Sequence, residues 1–343
     1  MKSIPLSILA ALFGLITRIR NYLYDKGWLK SVAFPQKNVV VIGNLAVGGT
    51  GKSPFVHFLL KHWPEQKQPV VLSRGYGRKT KGFLWAGKQE TSDRIGDEPL
   101  TYRLQFPEVD IALGENRVKA IHRILHDLPA TQSVLLDDAF QHRSLKASLQ
   151  IVCTTFQQPF YLDEMLPLGR LREDISGINR ADAVLVTRCP DEVSVEALES
   201  IRQKILALTE KQIPVFFSGI RYAQPQGLAA GITQWHAFAG IAHPELFFEQ
   251  IAEQFDLLST KTFPDHHSFS LAELKHFEYL ANQLNDNQAI ITTHKDYVRL
   301  IPLFKDFPAL SSKLAYLPME MYFIKQENEF MTWFKKELEK TQW

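Results

Sequence analysis

Residues 43–53, Gly-Asn-Leu-Ala-Val-Gly-Gly-Thr-Gly-Lys-Ser, crowd glycine ahead of a lysine and a hydroxyl. Glycine lets successive backbone N–H groups turn inward around phosphate oxygens, and a helix starting there adds the positive end of its dipole. On this reading Gly48, Gly49, Thr50 and Gly51 form a phosphate cradle, Lys52 reaches the β- and γ-phosphates, and the Ser53 hydroxyl holds Mg²⁺. The strict spacing G-x-x-x-x-G-K-[ST] fails at its first position, which Ala46 occupies; the plain alternative is a glycine-rich turn with a surface lysine. Residues 133–138, Ser-Val-Leu-Leu-Asp-Asp, end an apolar run in two carboxylates. At the C-terminal end of a strand beside such a loop, Asp137 and Asp138 would bind Mg²⁺ directly or through water. The two motifs together imply nucleoside-triphosphate chemistry and leave the acceptor open. The guanine motif N-K-x-D is absent, Thr293-His-Lys-Asp296 being only a near miss, so ATP is the expected nucleotide.

Three further groups carry charge in suggestive places. Arg74-Gly-Tyr-Gly-Arg78 follows an apolar run and suits an anion site, or a plain β-turn with solvated arginines. Asp97 and Glu98 precede an apolar stretch at 100–106, where a carboxylate could take a proton from an attacking hydroxyl or simply cap a helix. Asp265-His266-His267 reads as a metal site, a catalytic pair or a surface turn, and no third metal ligand is evident. From the residues alone it reads as a turn.

Positioning these groups requires strands that end where the loops begin. Residues 38–42 form a β-branched run expected as a buried parallel strand, with a helix from 55 to 60 after the loop. Further strands are expected at 69–73, 181–187, 235–240 and 288–293, and the Pro/Gly-bearing stretch 222–227 marks a domain boundary. Strands alternating with helices on both sides of it imply two α/β domains with parallel sheets. The composition, 343 residues with 45% hydrophobic and 22% charged, excludes a disordered or polytopic chain. Two cysteines are too few for a disulfide framework or a CxxC-type zinc site, so packing must hold the core.

The net charge of +2 excludes a bulk nucleic-acid binder, yet it is unevenly spread. Residues 1–38 hold six cations against Asp25 alone, a net of +5, which leaves −3 for the rest. The uncharged run 3–17 is shorter than the roughly 20 residues that cross a bilayer. As a helix it places Leu6, Leu9, Phe13 and Ile16 on one side and Ser7, Ala11, Gly14 and Arg18 on the other. With Tyr22, Tyr24 and Trp28 following among lysines, it suits a helix lying in the headgroup layer of an anionic membrane; the alternative is a helix packed on its own domain. No feature points to a protein partner.

In chain order, G-N-L-A-V-G-G-T-G-K-S-P, S-R-G-Y-G-R, G-D-E-P, D-D-A-F-Q-H, L-P-L-G-R-L-R-E, F-A-G-I-A-H-P and P-D-H-H closely resemble the tetraacyldisaccharide 4′-kinases, the lipid A 4′-kinases of Gram-negative bacteria. The resemblance runs to about Arg299, and that family's loop also lacks the first glycine. It implies transfer of the γ-phosphate of ATP, with Mg²⁺, to the 4′-hydroxyl of a tetraacylated glucosamine disaccharide 1-phosphate. The location it implies is peripheral or monotopic, at the cytoplasmic face of the inner membrane. The fold it implies is a P-loop NTPase-like α/β domain with a mainly parallel sheet over 31–222, after a membrane-interface helix at 1–30. A smaller α/β domain over 228–343 is joined by a β-ribbon hinge, and the cleft between them closes over the nucleotide. Residue by residue, Lys52 and Ser53 take the phosphate and Mg²⁺ roles, Asp137 and Asp138 match the acidic pair, and His142 ends the same motif. Asp97 matches the general base, His266 its partner in a dyad, and Glu98 a Mg²⁺-associated acid. Arg74, Arg117 and Arg172 fall in motifs that resemble charge-stabilising or substrate-phosphate contacts. Ser53 for the commoner Thr, and Ala139 for Gly, are small departures.

Overall fold

The structure, a computed structural model, describes residues 4–64, 68–228, 231–265 and 267–340. Its frame is a nine-stranded sheet in the order Met319–Phe323, Val215–Tyr222, Ala183–Thr187, Leu149–Thr155, Asn38–Gly43, Ser133–Asp137, Val70–Ser73, Ile111–Leu113, Leu84–Trp85. All neighbours run parallel except the strand at each edge. A parallel sheet is covered on both faces, so its strands read as continuous apolar runs. Asn38–Gly43 is buried at every position, and separate apolar layers lie on the two faces of the sheet. This central strand carries the glycine-rich loop at its C-terminal end, with Ser133–Asp137 beside it, so both motifs open onto one edge of the sheet.

A second sheet of four parallel strands, Asp256–Thr262, Gln234–Ala239, Gln288–Thr293 and Leu314–Leu317, has its own apolar layers. The chain leaves the large sheet through Val215–Tyr222 and returns through Met319–Phe323, and these two strands pair antiparallel. Beyond the pair, Gln226 and Tyr316 exchange backbone hydrogen bonds at 2.9 Å. The expected second domain over 228–343 therefore needs correction at its C-terminal end. Strand Met319–Phe323 joins the large sheet, and helix Glu327–Lys340 buries Phe330, Phe334 and Leu338 in the core formed with Phe55 and Phe58. The physical reason is that helix's apolar stripe, which packs into the same layer as Phe55, Phe58 and Trp63 on one face of the large sheet.

The first helix, Ile4–Asp25, seats a strip of small side chains. Ala10, Gly14 and Thr17 are buried, and a Cβ on Gly14 would lie 3.6 Å from Met165 Cγ. Arg18 binds Asp174 at 2.7 Å and Asn21 donates to Glu173 at 2.8 Å. Leu6, Ile8, Leu9, Leu12, Leu15, Ile16 and Ile19 are exposed. The apolar outer surface is thus broader than the expected stripe, Phe13 is half-buried, and Ser7 and Ala11 lie outside the packed strip.

Candidate active site

The phosphate loop is held by its neighbours. Ala46 bridges Leu171, the Val47 N–H donates to the Arg170 carbonyl at 2.8 Å, and the Arg172 N–H to the Leu45 carbonyl at 2.8 Å. The segment around L-P-L-G-R-L-R is therefore a brace for the loop. Gly51 has φ +78, and a Cβ there would sit 2.8 Å from Thr187 Oγ1, so only glycine fits the turn into helix Lys52–Lys61. That helix start has no side-chain cap, which leaves its N–H groups directed at the loop.

One open cleft of about 480 Å³ gathers Gly48, Lys52, Arg74, Asp97, Glu98, Arg117, Asp137, Asp138, His142 and Arg172. Ser53 belongs with them: its Oγ donates to Glu98 Oε1 at 3.0 Å. Gly49, Thr50 and Gly51 lie in the loop behind. Asp137 is buried, and Tyr102 donates to its Oδ2 at 2.9 Å. Burial, reinforced by the neighbouring Glu98 carboxylate and opposed by Lys52, pushes Asp137 up to about 7. Asp138, at φ +52, faces cations instead. Burial opposes its ionisation, but Lys52 at 3.7 Å and Arg172, bidentate at 2.6 and 3.1 Å, hold it below the usual carboxylate range.

These acids fit Mg²⁺. Asp137 Oδ1 is buried with no hydrogen-bond partner among the described residues, beside a second carboxylate and a hydroxyl that already share a hydrogen bond. No group of three or more His, Cys, Asp or Glu set to hold a metal exists among the described residues. Mg²⁺ needs none, because it takes one or two carboxylates and completes its shell with water and substrate phosphates.

Further cations line the same cleft. Arg117 is buried, donates to the Glu115 carbonyl at 3.4 Å and to the Gly114 carbonyl, and is lowered to about 10 by burial despite Asp137 nearby. Its N–H donates to His142 Nε2 at 3.3 Å. Burial, with Arg117 and Arg74 adding, brings His142 down to about 4, so the ring is neutral at pH 7 and acts as an acceptor. Arg74 is exposed at the rim.

Asp97 and Glu98 do not cap their helix. The cap position is Gly96, at φ +89, where a Cβ would come within 2.8 Å of the Tyr76 carbonyl. Both carboxylates lie in the first turn and reach away from it, Glu98 to Ser53 and Asp97 to Arg299 at 3.0 and 2.5 Å. His266, the expected partner of Asp97, lies outside the described residues. His267 turns to Glu273 at 3.0 Å and stacks on Phe263, so it is part of the capping of helix Leu271–Gln283. Tyr102, Gln141, Lys295 and Arg299 belong to the site and were not singled out in the sequence. A signal for one of them existed: Thr293-His-Lys-Asp296 follows a strand end, and its Lys295, in the first turn of the next helix, lines the cleft.

Strand, phosphate loop and acidic strand end on a parallel sheet define a P-loop nucleotide-binding protein of the α/β class, with a second α/β unit closing one side of the cleft. The family model described as tetraacyldisaccharide-1-P 4′-kinase matches residues 2–339. The chain belongs to that family. A tetraacyldisaccharide 4′-kinase of Flavobacterium johnsoniae is 41% identical, covering 94% of this chain and 93% of its own length. One from Cytophaga hutchinsonii is 39% identical, covering 93% and 90%. The crystal structure of the "apo" form of LpxK from Aquifex aeolicus in complex with ATP superposes with a TM-score of 0.75 at 26% identity, covering 99% of both chains.

Proposed function

We propose that this protein transfers the γ-phosphate of ATP to the 4′-hydroxyl of a tetraacylated glucosamine disaccharide 1-phosphate in lipid A biosynthesis. The observation that carries the reading is the meeting of Lys52, Asp97, Asp137 and Asp138 in one cleft, in a chain of the tetraacyldisaccharide 4′-kinase family. The loop and the start of helix Lys52–Lys61 hold the phosphates, and Lys52 leaves Asp138 for the β- and γ-oxygens. Mg²⁺, held by Ser53, Asp137 and Glu98 with Asp138 close by, would screen charge on the transferring group. Arg74, Arg117 and Arg172 supply further positive charge to the phosphoryl oxygens or to the substrate's own phosphate. A sugar hydroxyl is a weak nucleophile, so Asp97 takes its proton, with His266 as its partner in the dyad. The pair titrates as a unit, and neither member is assigned the first proton.

The acceptor keeps its acyl chains in lipid, so the enzyme must meet it at the surface. Helix Ile4–Asp25 supports that role: it presents an apolar outer face and cations to the headgroup layer, at the cytoplasmic side of the inner membrane. The test is an assay with γ-labelled ATP and purified lipid disaccharide. Label at the 4′ position, lost in Asp97→Asn while ATP binding survives, is expected. Hydrolysis of ATP with no labelled lipid would instead favour a membrane-bound P-loop ATPase that recruits a partner.

A further inference from the structure

Arg299 and Asp97 stand 202 residues apart in the chain, on helices His294–Leu300 and Asp97–Gln105, which belong to different units. Arg299 Nε donates to Oδ1 of Asp97 at 3.0 Å and Nη2 to Oδ2 at 2.5 Å. The remaining Nη1 donates to Asp296 Oδ1 at 2.9 Å. Asp296 is fully buried, and its other oxygen accepts from the Gly240 N–H at 2.8 Å and from Thr293 Oγ1 at 2.7 Å. The guanidinium, 8% exposed, is thus clamped from the four-stranded unit, and it clamps a carboxylate of the nine-stranded one.

The pairing leaves the carboxylate usable. A fork of two N–H donors takes one lone pair on each oxygen, and an ionised carboxylate has about four acceptor sites. The fork by itself therefore does not consume the lone pair that an approaching hydroxyl needs. What the fork removes is rotation of the carboxylate plane, and misplacing a reacting group by about 1 Å can cost about 10²-fold in rate.

We propose that Arg299 is a positioning residue for phosphoryl transfer, setting the plane of the Asp97 carboxylate, so that the base is oriented only when the two α/β units are docked. This deepens the proposed reaction and rests on Asp97 as its base. The experiment compares kcat and KM, for ATP and for the lipid disaccharide, in Arg299→Gln, Arg299→Lys, Asp97→Asn and the double variant Asp97→Asn/Arg299→Gln. Arg299→Gln should lower kcat about 10- to 100-fold with both KM values within about twofold of wild type. Arg299→Lys should recover part of the loss, because an ammonium keeps the charge without the two-pronged geometry. The double variant should be no slower than Asp97→Asn, since nothing is left to orient.

Each alternative is distinguishable. Wild-type kcat in Arg299→Gln beside a dead Asp97→Asn overturns the positioning role and leaves the base standing. Wild-type turnover in Asp97→Asn removes the base and the positioning role together. A double variant slower than Asp97→Asn by the full Arg299→Gln factor assigns Arg299 to folding or nucleotide binding and also overturns it. If Arg299→Gln does not fold, Arg299→Lys carries the same comparison, alone and combined with Asp97→Asn.

Discussion

The Tyr102 hydroxyl donates to Asp137 Oδ2 at 2.9 Å, joining the helix that bears Asp97 and Glu98 to the acidic strand end. Burial and the Asp137 charge beside it push the Tyr102 hydroxyl well above its usual range, so it stays a donor at any working pH. The other Asp137 oxygen is buried with no hydrogen-bond partner among the described residues, within electrostatic reach of the Glu98 carboxylate. Tyr102→Phe removes the donor and keeps the ring against His57, whose centroid is 5.0 Å away. A hydrogen bond to a charged group contributes about 1.5–3 kcal/mol, so the Mg²⁺ concentration for half-maximal turnover should rise roughly tenfold or more. Titrating turnover with Mg²⁺ measures it; an unchanged midpoint would reduce Tyr102 to packing.

Most of this site could be read in the sequence because its groups follow strand ends, and each motif carries its own local context. Lys52, Asp137 and Asp138 needed only an apolar run next to them. Arg299 could not be read that way: its partner lies 202 residues away, and periodicity says nothing of such pairings. The same limit governed the C-terminal segment. The pattern of strand Met319–Phe323 does not say which sheet it joins, and only the antiparallel register with Ser218 to Tyr222 returns it to the first. On the first helix, apolar spacing located the amphipathic stripe, but the packed side is set by Gly14 and Thr17, whose small volumes admit close approach.

Three histidines make the protein acid-sensitive. Burial brings His57 and His142 down to about 4 and His294 down to about 3. The sign follows from where the proton goes. Above pH 6.5 neither state binds it; as pH falls below 6.5 the unfolded chain binds protons that the folded one refuses. Their contribution to stability is therefore full above about 6.5 and falls as pH drops toward 4, until the folded rings also protonate; the raised Asp137 carboxyl contributes in the opposite sense. For His57, whose Nδ1 donates to the Ser53 carbonyl at 2.7 Å, this amounts to about 3 kcal/mol across the window. Melting temperatures between pH 7.5 and 4.5 should fall for the wild type and fall less steeply for His57→Asn. Equal slopes would show that the ring does not titrate with folding.

The two sides of the first helix should respond differently to substitution. Its outer side carries Leu12 and Ile16, 52% and 55% exposed. Its inner side ends on Glu173, fully buried, which accepts from Asn21 at 2.8 Å, Gln141 at 3.0 Å and Arg180 at 2.8 Å on both oxygens. Gln141 in turn donates to the Asn44 carbonyl at 2.7 Å, so the helix is wired to the phosphate loop through one buried carboxylate. Burying a Leu or Ile side chain is worth about 1.5–3 kcal/mol, so Leu12→Glu or Ile16→Glu should weaken binding to anionic vesicles about tenfold or more. The melting temperature should hardly move, as for other surface changes. Glu173→Ala should do the reverse. It leaves the Arg180 guanidinium buried without its partner, at a cost of about 3–5 kcal/mol, while folded molecules bind vesicles as before. Vesicle sedimentation and thermal melting on the same preparations separate the two. If the outer-side variants sediment like wild type, the exposed face does not dock on lipid.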